Sequence, residues 1–362
     1  MTGRLALIMA GGTGGHVFPA LALARELRAR SWQVVWLGTR RGIEARLVPA
    51  EQIPIEWLAV AGIRGKGVLP WLLAPLRVLR AVVQALLVMR RRQPSLVVGL
   101  GGFVAGPGGL AAWLTRRPLL IHEQNAIAGF TNRWLAHLAQ RVLSAFPGSF
   151  GGKVPERVVG NPVRAEIAQL RAPAARFASR FGPTRVLILG GSQGATRLNA
   201  IVPFALARLS GTLEFEVRHQ SGERGLAAAR SNYGQASVTA RLHAFIDEMA
   251  EAYAWADLVI CRAGALTVSE LAAAGVASIL VPFPAATDDH QTRNADYLVR
   301  EGAAVMIADR ELTAERLAEE LARLCAGRGR LLAMAERARL LARPRAAQEL
   351  ADACEQLLRG EP

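Results

Sequence analysis

The residues of this chain best suited to chemistry lie at the ends of glycine-rich loops. The first such loop is GGTGGH, Gly11–His16, set between a short apolar run and a long helical one, and it ends in a lone imidazole. A strand, a Gly-rich loop and a helix N-terminus together can hold a phosphate. Free N–H groups point outward, the helix dipole adds partial positive charge, and absent Cβ atoms let an oxyanion approach. One loop of this kind reads equally well as a tight turn with no ligand. It matches neither G-x-G-x-x-G with an acidic residue at the second strand nor G-K-[ST], so dinucleotide and P-loop fingerprints do not fit. The pattern recurs, however, in SLVVGLGGFVAGPGG at Ser95–Gly109, RVLILGGSQGA at Arg185–Ala195 and DLVICRAGALTVSELAAAG at Asp257–Gly275. Four Gly loops at strand ends favour a phosphate-bearing ligand over four empty turns. Asp288-Asp289-His290 reads as a cation site, but two adjacent carboxylates rarely converge without a third fixed ligand, so we expect no metal and no cofactor.

Positioning these loops requires a repeated strand–loop–helix unit. Leu5–Met9 and Arg185–Leu189 read as the buried strands that open two halves, with further strands at Val34–Leu37, Leu119–Ile121, Leu213–Val217 and Ser278–Val281. A packed helix is expected from Phe18 onward, where apolar residues mix with Arg25, Glu26, Arg28 and Arg30. Alternating βα units imply parallel sheets with helices on both faces. The expected fold is α/β: two Rossmann-like, doubly wound parallel-sheet domains meeting near Gly160-Asn161-Pro162, with ligands in the cleft that the strands' carboxyl ends face. The expected domains are 1–162, 163–340 and a closing helical stretch, 341–362, packing back on the first domain.

Composition narrows the class. With 362 residues, 51% of them hydrophobic, the chain is long enough for two packed cores, and extended disorder is not expected. Its apolar N-terminal run breaks at Gly11 and Gly12 without a basic region before it, so no ordinary secretion signal is expected. Cys261, Cys325 and Cys354 are odd in number and far apart, which suits a reducing compartment without a zinc site. The net charge is +15, and apart from Lys66 and Lys153 every one of its 44 basic residues is arginine. A basic surface can attract nucleic acid, anionic lipid or nucleotide phosphate. No aromatic residues interleave with the basic clusters, so we expect no nucleic-acid partner.

Seven motifs follow one another in a recognisable order: GGTGGH, GGFVAGP at Gly101–Pro107, HEQN at His122–Asn125, GNPVR at Gly160–Arg164, GGSQGA, HQSG at His219–Gly222 and RAGALTVSE at Arg262–Glu270. In these residues the chain resembles the MurG family of bacterial glycosyltransferases. GGTGGH also occurs in related lipid glycosyltransferases, whereas HEQN, GNPVR and ALTVSE together are more specific. The resemblance implies a GT-B fold and an inverting transfer of N-acetylglucosamine (GlcNAc) from UDP-GlcNAc. The acceptor would be the C4 hydroxyl of the muramoyl sugar in undecaprenyl-diphospho-MurNAc-pentapeptide (lipid I), giving lipid II for the cell wall. It further implies a peripheral enzyme on the cytoplasmic face of the inner membrane. Two rival readings are a transferase acting on another lipid such as diacylglycerol and a non-catalytic nucleotide-binding scaffold.

The same resemblance assigns the site. Glu270 would accept two hydrogen bonds from the ribose diol, as a carboxylate can, with Ala265, Leu266, Thr267, Val268 and Ser269 as further UDP-sugar contacts. Ser192 would meet the α-phosphate, the backbone of Ile246 the uracil edge, and Arg164 the donor. Asn125 and Gln291 would hold the sugar hydroxyls. Thr13, Gly14 and Gly15 fall to the acceptor's diphosphate. The displacement needs a base at the attacking hydroxyl and positive potential on the leaving diphosphate. His16 and Glu123 are both candidates for that base. The chain departs from the family at His290, where a second glutamine is usual, and at Phe103, where many members carry tyrosine.

The segment Val68–Arg92 is the most apolar of the chain, yet Pro70, Pro75, Arg77 and Arg80 interrupt it before it could span a membrane. On a helix Leu72, Leu76, Leu79, Val83 and Leu86 share one seam. That seam reads either as core or, with Trp71 and Arg90–Arg92, as a contact with an anionic membrane surface.

Overall fold

The computed structural model describes residues 4–59, 74–190, 195–284 and 289–361. The chain divides into two compact units, Met1–Val163 with Arg345–Pro362, and Arg164–Pro344.

The first unit is built on β1 (Leu5–Met9), β2 (Gln33–Gly38), β3 (Ile55–Trp57), β4 (Leu96–Gly99), β5 (Leu119–Glu123), β6 (Arg141–Ser144) and β7 (Arg157–Val158). These pair in parallel in the order β3-β2-β1-β4-β5-β6-β7. Strands such as LALIM and LVVG are apolar throughout because helices cover both faces. Successive residues alternate between two core layers. Ile8, Val34, Trp36 and Val98 enter one, and Leu7, Met9, Val35, Leu37 and Val97 the other. Full burial of each large apolar side chain contributes about 1.5–3 kcal/mol. The helix Ala346–Arg359 joins the first layer through Leu350, Ala351, Ala353 and Cys354. There Arg30 at the end of helix Gly14–Ala29 donates to Asp352 at 2.7 Å.

The second unit holds β8 (Thr184–Leu189), β9 (Phe215–Gln220), β10 (Arg241–His243), β11 (Leu258–Cys261), β12 (Ala277–Leu280) and β13 (Ala304–Met306), parallel in the order β10-β9-β8-β11-β12-β13. Each sheet therefore reverses its strand order once, between β1 and β4 and between β8 and β11. The loops leaving those strands flank the crevice in which doubly wound sheets take ligands. All four Gly loops leave one of these four strands.

Two local expectations need correction, and the helix seam left open between core and surface is divided. The first helix begins at Gly14, not Phe18. Pro19 looks like a first-turn proline, but the turn before it is also helical. Strand β5 runs on through His122 and Glu123, so half of HEQN lies in the strand and not in the loop after it. Helix Ala74–Arg92 buries Ala81, Val82, Ala85, Val88 and Met89, whereas Leu76 and Leu79 are 65% and 59% exposed and Leu86 is half-buried. Leu72 and Trp71 lie outside the described residues. No described helix is long and apolar enough to cross a membrane.

Candidate functional site

At the β1–β4 switch point, two Gly loops interlock. Thr13 is the N-cap of helix Gly14–Ala29 in an extended conformation, and its carbonyl accepts from His16 and Val17, both at 3.2 Å. Gly14 and Gly15 occupy the first helical positions, whose N–H groups precede the intrahelical ladder and are available to an anion. His16 follows them on the first turn, half-buried, with Nδ1 3.5 Å from Thr13 Oγ1. From the other side come Gly101 (φ +95°) and Gly102 (φ +81°). A Cβ on Gly101 would stand 2.7 Å from the His16 ring, and one on Gly102 would overlap the Gly11 carbonyl. These positions need glycine for both conformation and space.

Behind the first loop is Glu44, fully buried, which the motif reading missed. Its carboxylate accepts from the Gly12 N–H at 3.0 Å and from the Thr39 N–H and hydroxyl at 3.0 and 2.8 Å. The only sequence signal is its place two residues after Gly42, just past the second strand.

HEQN turns out to be a bracket. Glu123 is buried, and its two oxygens accept from the Asn125 N–H (2.9 Å), Asn125 Nδ2 (3.1 Å), Gly129 N–H (3.2 Å) and Asn132 Nδ2 (2.8 Å). A carboxylate committed to four donors is poorly placed to take a proton from a substrate. His122 donates from Nε2 to the Gly160 carbonyl at 2.9 Å and accepts from Gln124 at Nδ1 at 3.1 Å. Burial pushes its pKa down to about 4, so it is a neutral strut. Asn161 donates to the Gln124 carbonyl at 3.0 Å, which ties HEQN to GNPVR physically.

In the second unit the helix Ala265–Ala274 follows β11, with Gly264 as N-cap. Ala265, Leu266 and Thr267 supply its first-turn N–H groups, Val268 is core, and Ser269 donates back to the Ala265 carbonyl at 3.0 Å. Glu270, on the next turn, is buried. Its Oε2 accepts from Tyr253 Oη at 3.1 Å, and its Oε1 lies 3.4 Å from Arg164 Nη2. Burial raises the Glu270 pKa, while Arg164 and the phenol oppose the rise. Burial and the carboxylate also keep the fully buried Tyr253 phenol protonated, hence a donor. Tyr253 had no sequence signal, being one aromatic among the apolar residues of helix Met249–Trp255.

Other predicted residues are held by the protein itself. The Ile246 N–H donates to Gln220 Oε1 at 3.0 Å. Gln291 Oε1 accepts from the Ala263 and Phe283 N–H groups at 3.2 and 2.9 Å, joining the loops after β11 and β12 and directing its amide nitrogen elsewhere. Asp289 accepts from Thr292 Oγ1 at 2.7 Å. Ser192 and Asp288 lie outside the described residues. Among the described residues no three His, Cys, Asp or Glu side chains converge as a metal site. Thr13, Gly14, Gly15, His16, Glu123 and Asn125 thus belong to the first unit, and Arg164, Ile246, Ala265–Glu270 and Gln291 to the second. The two residues expected to share the sugar, Asn125 and Gln291, are on different units.

Comparison with known proteins matches both halves of the chain to one family. Residues 6–144 match the glycosyltransferase family 28 N-terminal domain, and residues 185–356 match its C-terminal domain. The UDP-N-acetylglucosamine--N-acetylmuramyl-(pentapeptide) pyrophosphoryl-undecaprenol N-acetylglucosamine transferase of Nitrosococcus oceani is 56% identical over 354 residues, covering 98% of this chain and 99% of the relative. The protein of the same description from Marinobacter nauticus is 55% identical over 351 residues, 97% of each chain. The crystal structure of Acinetobacter baumannii MurG superposes with a TM-score of 0.87 at 41% identity, covering 98% of this chain and 99% of that one.

Proposed function

The chain belongs to glycosyltransferase family 28, and on that premise we propose that it is the transferase that completes lipid II. It moves GlcNAc from UDP-GlcNAc to the muramoyl sugar of lipid I. Each unit carries one parallel sheet, and the pair is the two-domain, GT-B type of architecture of the related MurG structure. The observation that carries the donor side is the buried Glu270 carboxylate, held by Tyr253 beside the N-terminus of helix Ala265–Ala274. A carboxylate suits a ribose diol, and a helix N-terminus suits the leaving diphosphate. Arg164 adds charge to the same place.

On the acceptor side the Gly14 and Gly15 N–H groups suit the lipid's diphosphate, and His16 suits the base. The C4 hydroxyl oxygen forms the new bond to the anomeric carbon on the face opposite UDP. The bond to the UDP oxygen breaks with its electron pair, the anomer inverts, and the hydroxyl proton passes to His16. Glu123, its oxygens filled, positions Asn125 instead. Labelled sugar should pass to a lipid I analogue from UDP-GlcNAc and not from UDP-glucose. Equal transfer from both donors, or none from either, would overturn the reading.

An acceptor on a C55 lipid requires contact with a membrane. The exposed Leu76, Leu79, Val83 and Leu87 on helix Ala74–Arg92, flanked by exposed Arg77, Arg80 and Arg90, support a contact there with the anionic cytoplasmic leaflet. Arg91 and Arg92 are already paired with Glu56 and contribute less than the sequence suggested. Each remaining arginine near anionic lipid is worth roughly 1 kcal/mol. Leu76→Glu with Leu79→Glu should sharply reduce co-sedimentation with phosphatidylglycerol vesicles, and added salt should weaken what remains. Binding indifferent to both changes would place the contact elsewhere.

A further inference from the structure

The geometry points to Glu44 as a positioning residue that sets the acceptor loop and, through it, His16. Its side chain is fully buried and both of its oxygens have donors, the Gly12 N–H on one and the Thr39 N–H and hydroxyl on the other. Burying a carboxylate is unfavourable unless its hydrogen bonds are restored, and here all of them come from two short loops. Glycines line the space it fills. A Cβ on Gly42 would overlap the carboxylate, one on Gly11 would stand 2.7 Å from Oε1, and one on Gly38 would stand 3.0 Å from Cγ.

What this holds is the turn into the first helix. Gly12 adopts φ +93°, open to glycine and strained for other residues, and its N–H is fixed by Glu44. The next residue is the N-cap Thr13, whose carbonyl takes the His16 N–H. The ring of His16 then rests against Gly101, where no Cβ fits. Glu44 below and Gly101 above therefore leave the imidazole little freedom. The Gly12 N–H is also withdrawn from any ligand, so an anion at this loop meets Gly14 and Gly15.

The inference rests on the proposed acceptor-side role of His16, and the experiment keeps the two apart. In the full-length enzyme, Glu44→Gln places an amide NH₂ or a weaker acceptor against three donors. Its kcat with a lipid I analogue should fall at least tenfold, while the calorimetric Kd for UDP stays within twofold of the parent. Thr39→Val removes one donor of the three and should lower kcat by a smaller factor with the same unchanged Kd. If Glu44→Gln does not fold, Thr39→Val decides by the same two readouts. Parental kcat in the variants, or a Kd for UDP that weakens in parallel with kcat, would overturn the positioning role. Full activity in a His16→Ala control would overturn the underlying reading instead.

Discussion

Replacing His16 with alanine should lower turnover of lipid I by ~10²–10⁴ while leaving the affinity for UDP-GlcNAc unchanged, the range expected for loss of a general base. The asymmetry follows from where the residue sits. His16 lies on the first turn of helix Gly14–Ala29 in the first unit, whereas the donor candidates Arg164, Ile246, Glu270 and Gln291 all belong to the second. The competing base, Glu123, accepts four hydrogen bonds from its own strand end and the following helix. Glu123→Gln should therefore weaken the acceptor side by disturbing Asn125 and Gly129, without removing the pH dependence that the base imposes on kcat. Steady-state rates across pH for both variants, with calorimetry for the donor, separate the two. Wild-type turnover in His16→Ala would return the base to Glu123.

The second large effect belongs to Glu270. Loss of a charge-assisted pair of hydrogen bonds to the ribose costs about 1.5–3 kcal/mol. For Glu270→Ala this corresponds to roughly 10- to 150-fold weaker UDP-GlcNAc binding. Tyr253→Phe tests how much of that depends on orientation. It removes the hydroxyl that donates to Oε2 at 3.1 Å yet keeps the packing of the buried ring. Its effect should be smaller than that of Glu270→Ala and confined to donor affinity. Calorimetry of UDP and UDP-GlcNAc on folded variants measures both, and unchanged donor affinity in Glu270→Ala would remove that carboxylate from the site.

Much of the architecture was legible because it is written in local patterns. An apolar run ending in glycines reads as a buried strand feeding a loop, and four such runs announced the strands that flank both switch points. Motif order carried the family. The helix start at Gly14 was less legible, since two glycines and a following Pro19 look like a loop until tertiary packing makes that turn helical. The outward seam of helix Ala74–Arg92 was ambiguous for a related reason. Leu76 and Leu79 have the same character as Val88 and Met89, and only the sheet beneath decides which of them it covers.

The sequence alone thus determined the βα alternation, the placing of Gly loops at strand ends and the kind of group each motif offers, because φ/ψ freedom, periodicity and helix dipoles act within a few residues. Which partners each of those groups meets was decided only in three dimensions. Glu44 meets the Gly12 N–H across 32 residues of chain, and Arg164 reaches Glu270 across 106. Glu123, at the end of a strand, and Glu270, on the second turn of a helix, are the same residue type. One is saturated by its own unit's amides, and the other is held by a single phenol beside a half-exposed arginine. A carboxylate's role depends on which donors folding brings to it, and the spacing of residues along the chain does not contain that information.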